Sequence, residues 1–219
     1  MAPRSDLTLA EMRLALAPAI AAEAVFDGWS DTALASAAAA QGIAPETAQI
    51  AFPGGAMDMI AAWIDSVDAA MQARFTRDEL VLLPIRQRIR TLVSFRIEAV
   101  AAQREALRRA LAIMAMPKNV GRALKLGWHS ADAMWRLAGD MATDYNHYTK
   151  RMTLGALYAA TLTVLVDDKS EGLADTYAFL DRRIEGVMRF EKAKARLLAG
   201  DDAHFSPARF LGRLRYPAR

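Results

Sequence analysis

The sequence predicts an all-α protein in which an N-terminal three-helix, helix-turn-helix arrangement precedes a larger helical bundle. Three observations point there. Apolar residues return at helical spacing along nearly the whole chain, with no run of strand-like alternation. Alanine, the strongest helix former, supplies much of the 53% apolar content. The 12 glycines and 8 prolines fall mostly at breaks between periodic segments.

Each element has its own signal. Leu7 to Phe26 reads as a first helix, closed by Asp27-Gly28. Ser30 or Asp31 caps a second, which stops at Gln41-Gly42, where glycine suits a left-handed C-terminal residue. Pro45 opens a short third helix at its first turn, and Phe52-Pro53-Gly54-Gly55 ends it. A fourth runs to about Phe75. Thr76 then caps a long helical stretch to Met116, in which Pro84 must start a new helix or kink the old one, because proline has no amide donor. Pro117 ends that stretch. A further helix reaches Gly139-Asp140, and Thr143 or Asp144 caps the next, which ends near Asp167. Leu173 to Leu198 is the last long helix. A coda follows, with Ser206 as cap, Pro207 in the first turn, and Phe210, Leu211 and Leu214 on one side. The expected division is a helix-turn-helix-like subdomain at 1–55, a ligand-binding and dimerisation bundle at 56–200, and a basic amphipathic tail at 201–219.

Composition removes several function classes. The chain has no cysteine, so disulfides, thiolate metal sites and cysteine nucleophiles are excluded, and a reducing compartment fits. Net charge is +3, yet Ala203 to Arg219 alone holds four arginines and no acid, leaving the rest of the chain at −1. Met1 to Ala10 lacks the basic start and apolar run of a signal peptide. The longest strongly apolar run, Leu154 to Val166, is 13 residues. As a helix it spans roughly 20 Å, short of the ~30 Å hydrocarbon core of a bilayer.

The N-terminal spacing Ala24-Val25-Phe26, Gly28-Trp29, Leu34-Ala35, Gly42-Ile43 and Phe52-Pro53 resembles the TetR-type regulator plan. Val25, Phe26, Leu34 and Ile43 are expected to close its small core. DNA affinity, however, comes mainly from Lys and Arg on phosphates. The would-be recognition helix, Ala44 to Ala51, has neither, and carries Glu46. From Ser5 to Arg74 the only basic residues are Arg13 and Arg74. Gln49 can read an adenine edge only if phosphate anchors hold it there. The motif therefore reads as scaffold, with no nucleic-acid partner, and a ligand-responsive regulator is the alternative.

The most distinctive segment runs from Gly127 to Arg151. It contains Trp-x-x-Ala-Gly-Asp-x-x-Thr-Asp-x-Asn-x-Tyr-Thr-Lys-Arg (Trp135 to Arg151), followed by Leu154 and Tyr158. Together with Phe26-Asp27-Gly28-Trp29, Phe52-Pro53-Gly54 and Phe179-Leu180-Asp181-Arg182-Arg183, this resembles the Coq-nine lipid-binding family of ubiquinone biosynthesis. The resemblance implies a TetR-like fold, a homodimer, and a pocket for an isoprenoid lipid or ubiquinone precursor. It also implies assistance to a membrane-associated di-iron hydroxylase. The positions matching that family's partner patch are Asp132, Met134, Asp144 and His147, the last a departure from a common tryptophan. Candidate lipid-lining residues are Trp128, Trp135, Leu154, Leu157 and Tyr158.

Read without the resemblance, the same residues say less. Trp128, Asp132 and Trp135 share one helix face, which fits either core or a binding surface. Asp144 is first a helix cap, and Lys150 and Arg151 suit ion pairs. Asp144-x-x-His147 has the spacing of di-metal bundles, but such sites need two pairs and two further carboxylates, and His129 and His204 lack that context. No phosphate loop or nucleophile elbow is present. The expectation is a non-enzymatic protein without cofactor or metal.

Small residues among bulky ones from Leu154 to Leu162 leave room for a neighbouring helix or a chain-like ligand, and 11 methionines supply adaptable apolar surface. In the tail, Phe210, Leu211 and Leu214 gather beside Arg209, Arg213 and Arg215, a pattern suited to an anionic lipid surface or to docking on the chain's own domain. The reading is a cytoplasmic, bacterial protein, peripheral at the inner face of the membrane. Its last two long helices are the expected dimer interface, by analogy with the fold.

Overall fold

A computed structural model describes residues 7–140 and 145–200, and every described element is helical. In chain order these are α1 (Leu9–Asp27), α2 (Asp31–Ala40), α3 (Pro45–Ala51), α4 (Ala56–Arg74) and α5 (Arg77–Val81). They continue as α6 (Ile85–Ala101), α7 (Arg104–Met114), α8 (Val120–Leu137), α9 (Tyr145–Leu165), a 3-10 turn at Glu171–Leu173, and α10 (Ala174–Gly200). The all-α architecture expected from sequence is what forms among the described residues. Asp144 and the tail residues Arg209, Phe210, Leu211, Arg213 and Leu214 lie outside the described residues.

The caps explain the boundaries. Thr8 starts α1 with a capping box, its hydroxyl accepting from the Glu11 amide while Glu11 accepts from the Thr8 amide. Thr76 and Glu79 repeat the device at α5. Pro84 begins a new helix, as its missing amide requires. A further break, like the one at Phe75-Thr76, carries no proline or glycine: Gln103 leaves helical geometry at φ −108°, ψ 42°, so the stretch expected from Thr76 to Met116 is three helices, α5, α6 and α7.

The described residues up to Asp181 form one compact unit, and those from Arg182 onward form a second. In the first, α1 packs on α2, α4 and α7, so the N-terminal trio shares its core with the larger bundle instead of standing apart from residue 56. Leu16, Ile20 and Ala24 line the inner face of α1, with Met59, Ile60, Leu92 and Ile97 buried opposite. Trp29 and Trp63 meet at a tilt with ring centres 5.4 Å apart, and the Trp29 indole donates to the Ala106 carbonyl at 2.9 Å, a core contact the sequence spacing did not single out. Leu34 and Ile43 are buried as expected, while Phe26 is 80% exposed. The correction is geometric: two residues beyond Ala24 is about 200° around the helix, which turns Phe26 away from the core.

Two charged knots tie the bundle. Asp58, at the start of α4, accepts from the Gly54 amide at 2.7 Å and pairs with Arg122 of α8 and, at 3.9 Å, Arg13 of α1. Burial pushes its carboxyl up, but Arg122, the Gly54 amide and Arg13 outweigh that and hold it below the usual value. A Cβ on Gly54 would lie 2.7 Å from this carboxylate, which is why the turn needs glycine there. Arg96 of α6, almost wholly buried, pairs with Asp68 of α4, donates to the Ser130 hydroxyl of α8 at 3.0 Å, and lies over the Tyr158 ring of α9 at 4.9 Å.

Asp168 closes the turn after α9. Its carboxylate accepts from the amides of Ser170 (2.8 Å) and Thr176 (2.9 Å) and from both their hydroxyls. Burial pushes this group up, yet the four donors prevail and hold it well below the usual carboxylate range. A carboxyl depressed in the folded state contributes stability above its unfolded pKa of about 3.9 and loses it as pH falls through the folded value. Asp168→Ala is therefore expected to cost about 2–3 kcal/mol at neutral pH. In urea denaturation the gap to the unmodified protein should narrow at acidic pH, below that unfolded pKa, and a gap that stays constant with pH contradicts the assignment.

Candidate functional site: the α8–α9 hairpin

The distinctive sequence run resolves into a sharp turn and a buried ion cluster. At the end of α8 the Gly139 amide donates to the Arg136 carbonyl at 3.0 Å and the Asp140 amide to the Trp135 carbonyl at 2.9 Å. These two bonds form a Schellman closure, with Gly139 left-handed at φ 90°. A side chain there is doubly disfavoured, because its Cβ would also meet Val81 at 3.2 Å. The closure fixes the Asp140 carboxylate beside the start of α9.

Arg151 occupies the space so defined. Its side chain is 2% exposed. Nε donates to Asp132 at 2.6 Å, and Nη1 donates to Asp140 at 3.0 Å and to the His147 carbonyl at 3.1 Å. Lys150 completes Asp140 at 2.8 Å, and Arg136 pairs with Asp132 at 2.7 Å, one helical turn on. The Trp135 indole donates to the Lys150 carbonyl at 3.0 Å, while the Lys150 ammonium lies 5.4 Å from the Trp135 ring centre. Below the cluster α9 packs on α8 at Gly155, whose Cβ position is in ordinary contact with the Gly127 carbonyl at 3.7 Å and Ala131 at 3.9 Å.

The outer side of the hairpin is aromatic. Trp128 lies 5.9 Å from Tyr148 and 6.3 Å from His147, and the His147 and Tyr148 rings meet nearly edge-on at 5.2 Å. Tyr148 is 58% exposed, and Met152, one turn along α9, is exposed as well. On α8, Val120 and Leu124 are exposed one turn apart, leading to half-buried Trp128. This surface suits contact with another molecule, since large apolar groups cluster on it beside polar rings.

The structure sorts the sequence-derived residues. His147 is half-buried within the aromatic group, and Asp132 is committed to Arg151 and Arg136. Met134 is fully buried, so its assignment to an outward patch is corrected: it lies on the side of α8 that packs into the bundle. Tyr148, which periodicity did not single out, takes the exposed place. Trp128 and Trp135 are half-buried at the hairpin, and Leu154, Leu157 and Tyr158 are buried along α9.

A cavity of about 570 Å³ lies elsewhere, against α1, α4 and α8, with Arg13, Asp65, Asp68, Gln72 and His129 as its polar lining. None of the five candidate lipid residues lines it. Burial and the neighbouring Asp68 push the Asp65 carboxyl above its ordinary value. Among the described residues, no group of three or more acidic or histidine side chains is placed to hold a metal ion, and no helix is long and apolar enough to cross a membrane.

A family model described as COQ9 matches residues 120–191, which begin with α8 and extend into α10. The ubiquinone biosynthesis protein COQ9 of Rattus norvegicus mitochondria is 30% identical over 169 residues, covering 74% of this chain and 54% of that protein. Its Homo sapiens counterpart is also 30% identical over 169 residues, covering 74% and 52%. The chain thus spans about half the length of the curated relatives it matches. A crystal structure of a TetR transcriptional regulator from Nitrosomonas europaea superposes with a TM-score of 0.63 at 21% identity, covering 80% of this chain and 96% of that one, which establishes the shared fold.

Arg151→Met is expected to lower stability by about 2–3 kcal/mol, because it removes the buried donor shared by Asp132 and Asp140 and leaves each with one more exposed cation, Arg136 or Lys150. Urea denaturation reads this directly; a loss under about 1 kcal/mol would mean that solvent, not Arg151, satisfies Asp132 and Asp140.

Proposed function

We propose, from the premise that this chain is a COQ9 homologue carrying that family's domain at residues 120–191, that it is a non-enzymatic accessory protein of ubiquinone biosynthesis. It binds an isoprenoid lipid or ubiquinone precursor and presents it to a di-iron hydroxylase at a membrane surface. The observation that carries this reading is the α8–α9 hairpin: the family's domain begins there, a buried ion cluster stiffens it, and its outer side offers Trp128, His147 and Tyr148. Rigid, preorganised aromatic surface gives a partner contact at low entropic cost.

Other features support the same reading. The apolar interior along α9, with Leu154, Leu157 and Tyr158, is the environment that a polyisoprenoid tail requires once neighbouring helices part. The basic tail, with Phe210, Leu211 and Leu214 beside Arg209 and Arg213, suits peripheral attachment to anionic lipid. The protein works as a homodimer. A regulator's role is disfavoured by charge, since α3 exposes Glu46, Thr47, Gln49 and Ile50 and has no cation for phosphate.

Native mass spectrometry of the gently purified protein is expected to retain an isoprenoid lipid at up to one molecule per chain. A bare protein mass that stays bare after incubation with ubiquinone-loaded vesicles contradicts lipid binding. Replacing Phe210, Leu211 and Leu214 together by serine is expected to weaken sedimentation with anionic vesicles several-fold without lowering the melting temperature; unchanged sedimentation removes the tail from the account.

A further inference from the structure

We propose that the elbow between α5 and α6 is itself a contact for an anionic lipid bilayer, with Leu82 entering the headgroup layer and Arg77 and Arg86 meeting phosphates. This contact is separate from the one proposed for the C-terminal tail and does not depend on it. Three large apolar side chains project around the elbow: Leu82 is 84% exposed, Val81 41% and Ile85 38%. Single exposed hydrophobic residues are ordinary; three together on one protruding turn are not.

The turn is held rigid, which a merely frayed loop would not be. Arg88 spends its guanidinium on three carbonyls, donating to Leu83 at 2.7 Å, Val81 at 2.8 Å and Ala138 at 2.8 Å. The Leu83 amide donates to Leu80 at 2.9 Å, and Leu80 is buried beneath. Ahead of the turn the Thr76 capping box engages Glu79, and Phe75 packs edge-on against Phe95 at 5.6 Å. The apolar tip is therefore presented outward at no further ordering cost on contact.

Charge complementarity selects the occupant. From Arg74 to Arg90 five arginines stand against Asp78 and Glu79. Asp181 offsets one of them through Arg90 at 2.6 Å, leaving an excess of two positive charges. Arg77 and Arg86 are exposed and form no ion pair among the described residues. An apolar tip flanked in sequence by exposed Arg77 and Arg86 matches a surface whose outer layer is anionic and whose inner layer is hydrocarbon. Each arginine near such a surface strengthens binding roughly five-fold.

The test uses the full chain and vesicles of phosphatidylcholine with or without phosphatidylglycerol. The unmodified protein should sediment with the mixed vesicles, and Leu82→Glu and Arg86→Glu should each lower the bound fraction about five-fold or more while keeping the melting temperature. Because the chain has no cysteine, Leu82→Cys carrying an environment-sensitive dye reports position 82 alone. Its emission should shift to the blue on the mixed vesicles and not on pure phosphatidylcholine. Bound fractions of the charge variants equal to the unmodified protein overturn the proposal. So does a dye that stays aqueous while the protein is bound, a shift that requires an added protein, or an unmodified protein that binds neither vesicle. None of these outcomes bears on whether lipid is retained in native mass spectrometry.

Discussion

Arg151 is the side chain on which the α8–α9 hairpin depends. A guanidinium buried to 2% is tolerable only where its donors are matched, and Asp132, Asp140 and the His147 carbonyl match them. Those partners come from the middle of α8, from the residue just past its Schellman closure, and from the first turn of α9. Satisfying one buried charge therefore sets where α8 stops, how tightly α9 returns, and which ring surface faces outward. Gly139 is the backbone condition for the same arrangement, because it permits the left-handed stop.

The N-terminal trio is a regulator's architecture without a regulator's charge. Its helices pack into the same core as α4 and α7, stitched by the Trp29–Trp63 pair and the Asp58 cluster, so it stabilises the bundle that carries α8 and α9. The helix that reads DNA in such folds exposes no cation here, and fold alone does not confer function. The cavity against α1, α4 and α8 mixes Ala10, Leu14, Ala62, Ala69 and Ala133 with Arg13, Asp65, Asp68, Gln72 and His129, so a polyisoprenoid chain there would lie against charged groups.

Much of this was legible in the sequence, for identifiable reasons. Caps, the Pro45 and Pro84 starts and the all-helical period are local signals, and the helices follow them. The Trp135 to Arg151 run was legible as a signature, but its meaning was not: Ala-Gly-Asp followed by Lys-Arg specifies a turn and a buried ion cluster more than an exposed patch. Met134 shows the cost of reading a patch by position, since it is fully buried between half-buried Ala133 and Trp135. Phe26 shows the same for a motif match that ignores helical phase. The Ala102-Gln103 break and the role of Arg88 depend on tertiary contacts, and no local residue choice announces them.

The central claim is that the hairpin's aromatic side, held in place by the buried cluster, is where this protein meets its partner. Capture of the di-iron hydroxylase by the full chain carrying Tyr148→Asp tests it most directly, because Tyr148 is exposed and its replacement leaves Arg151 and its partners untouched. The account predicts that capture falls at least ten-fold, about 1.4 kcal/mol, while the melting temperature is unchanged. Undiminished capture by a stably folded variant would contradict it.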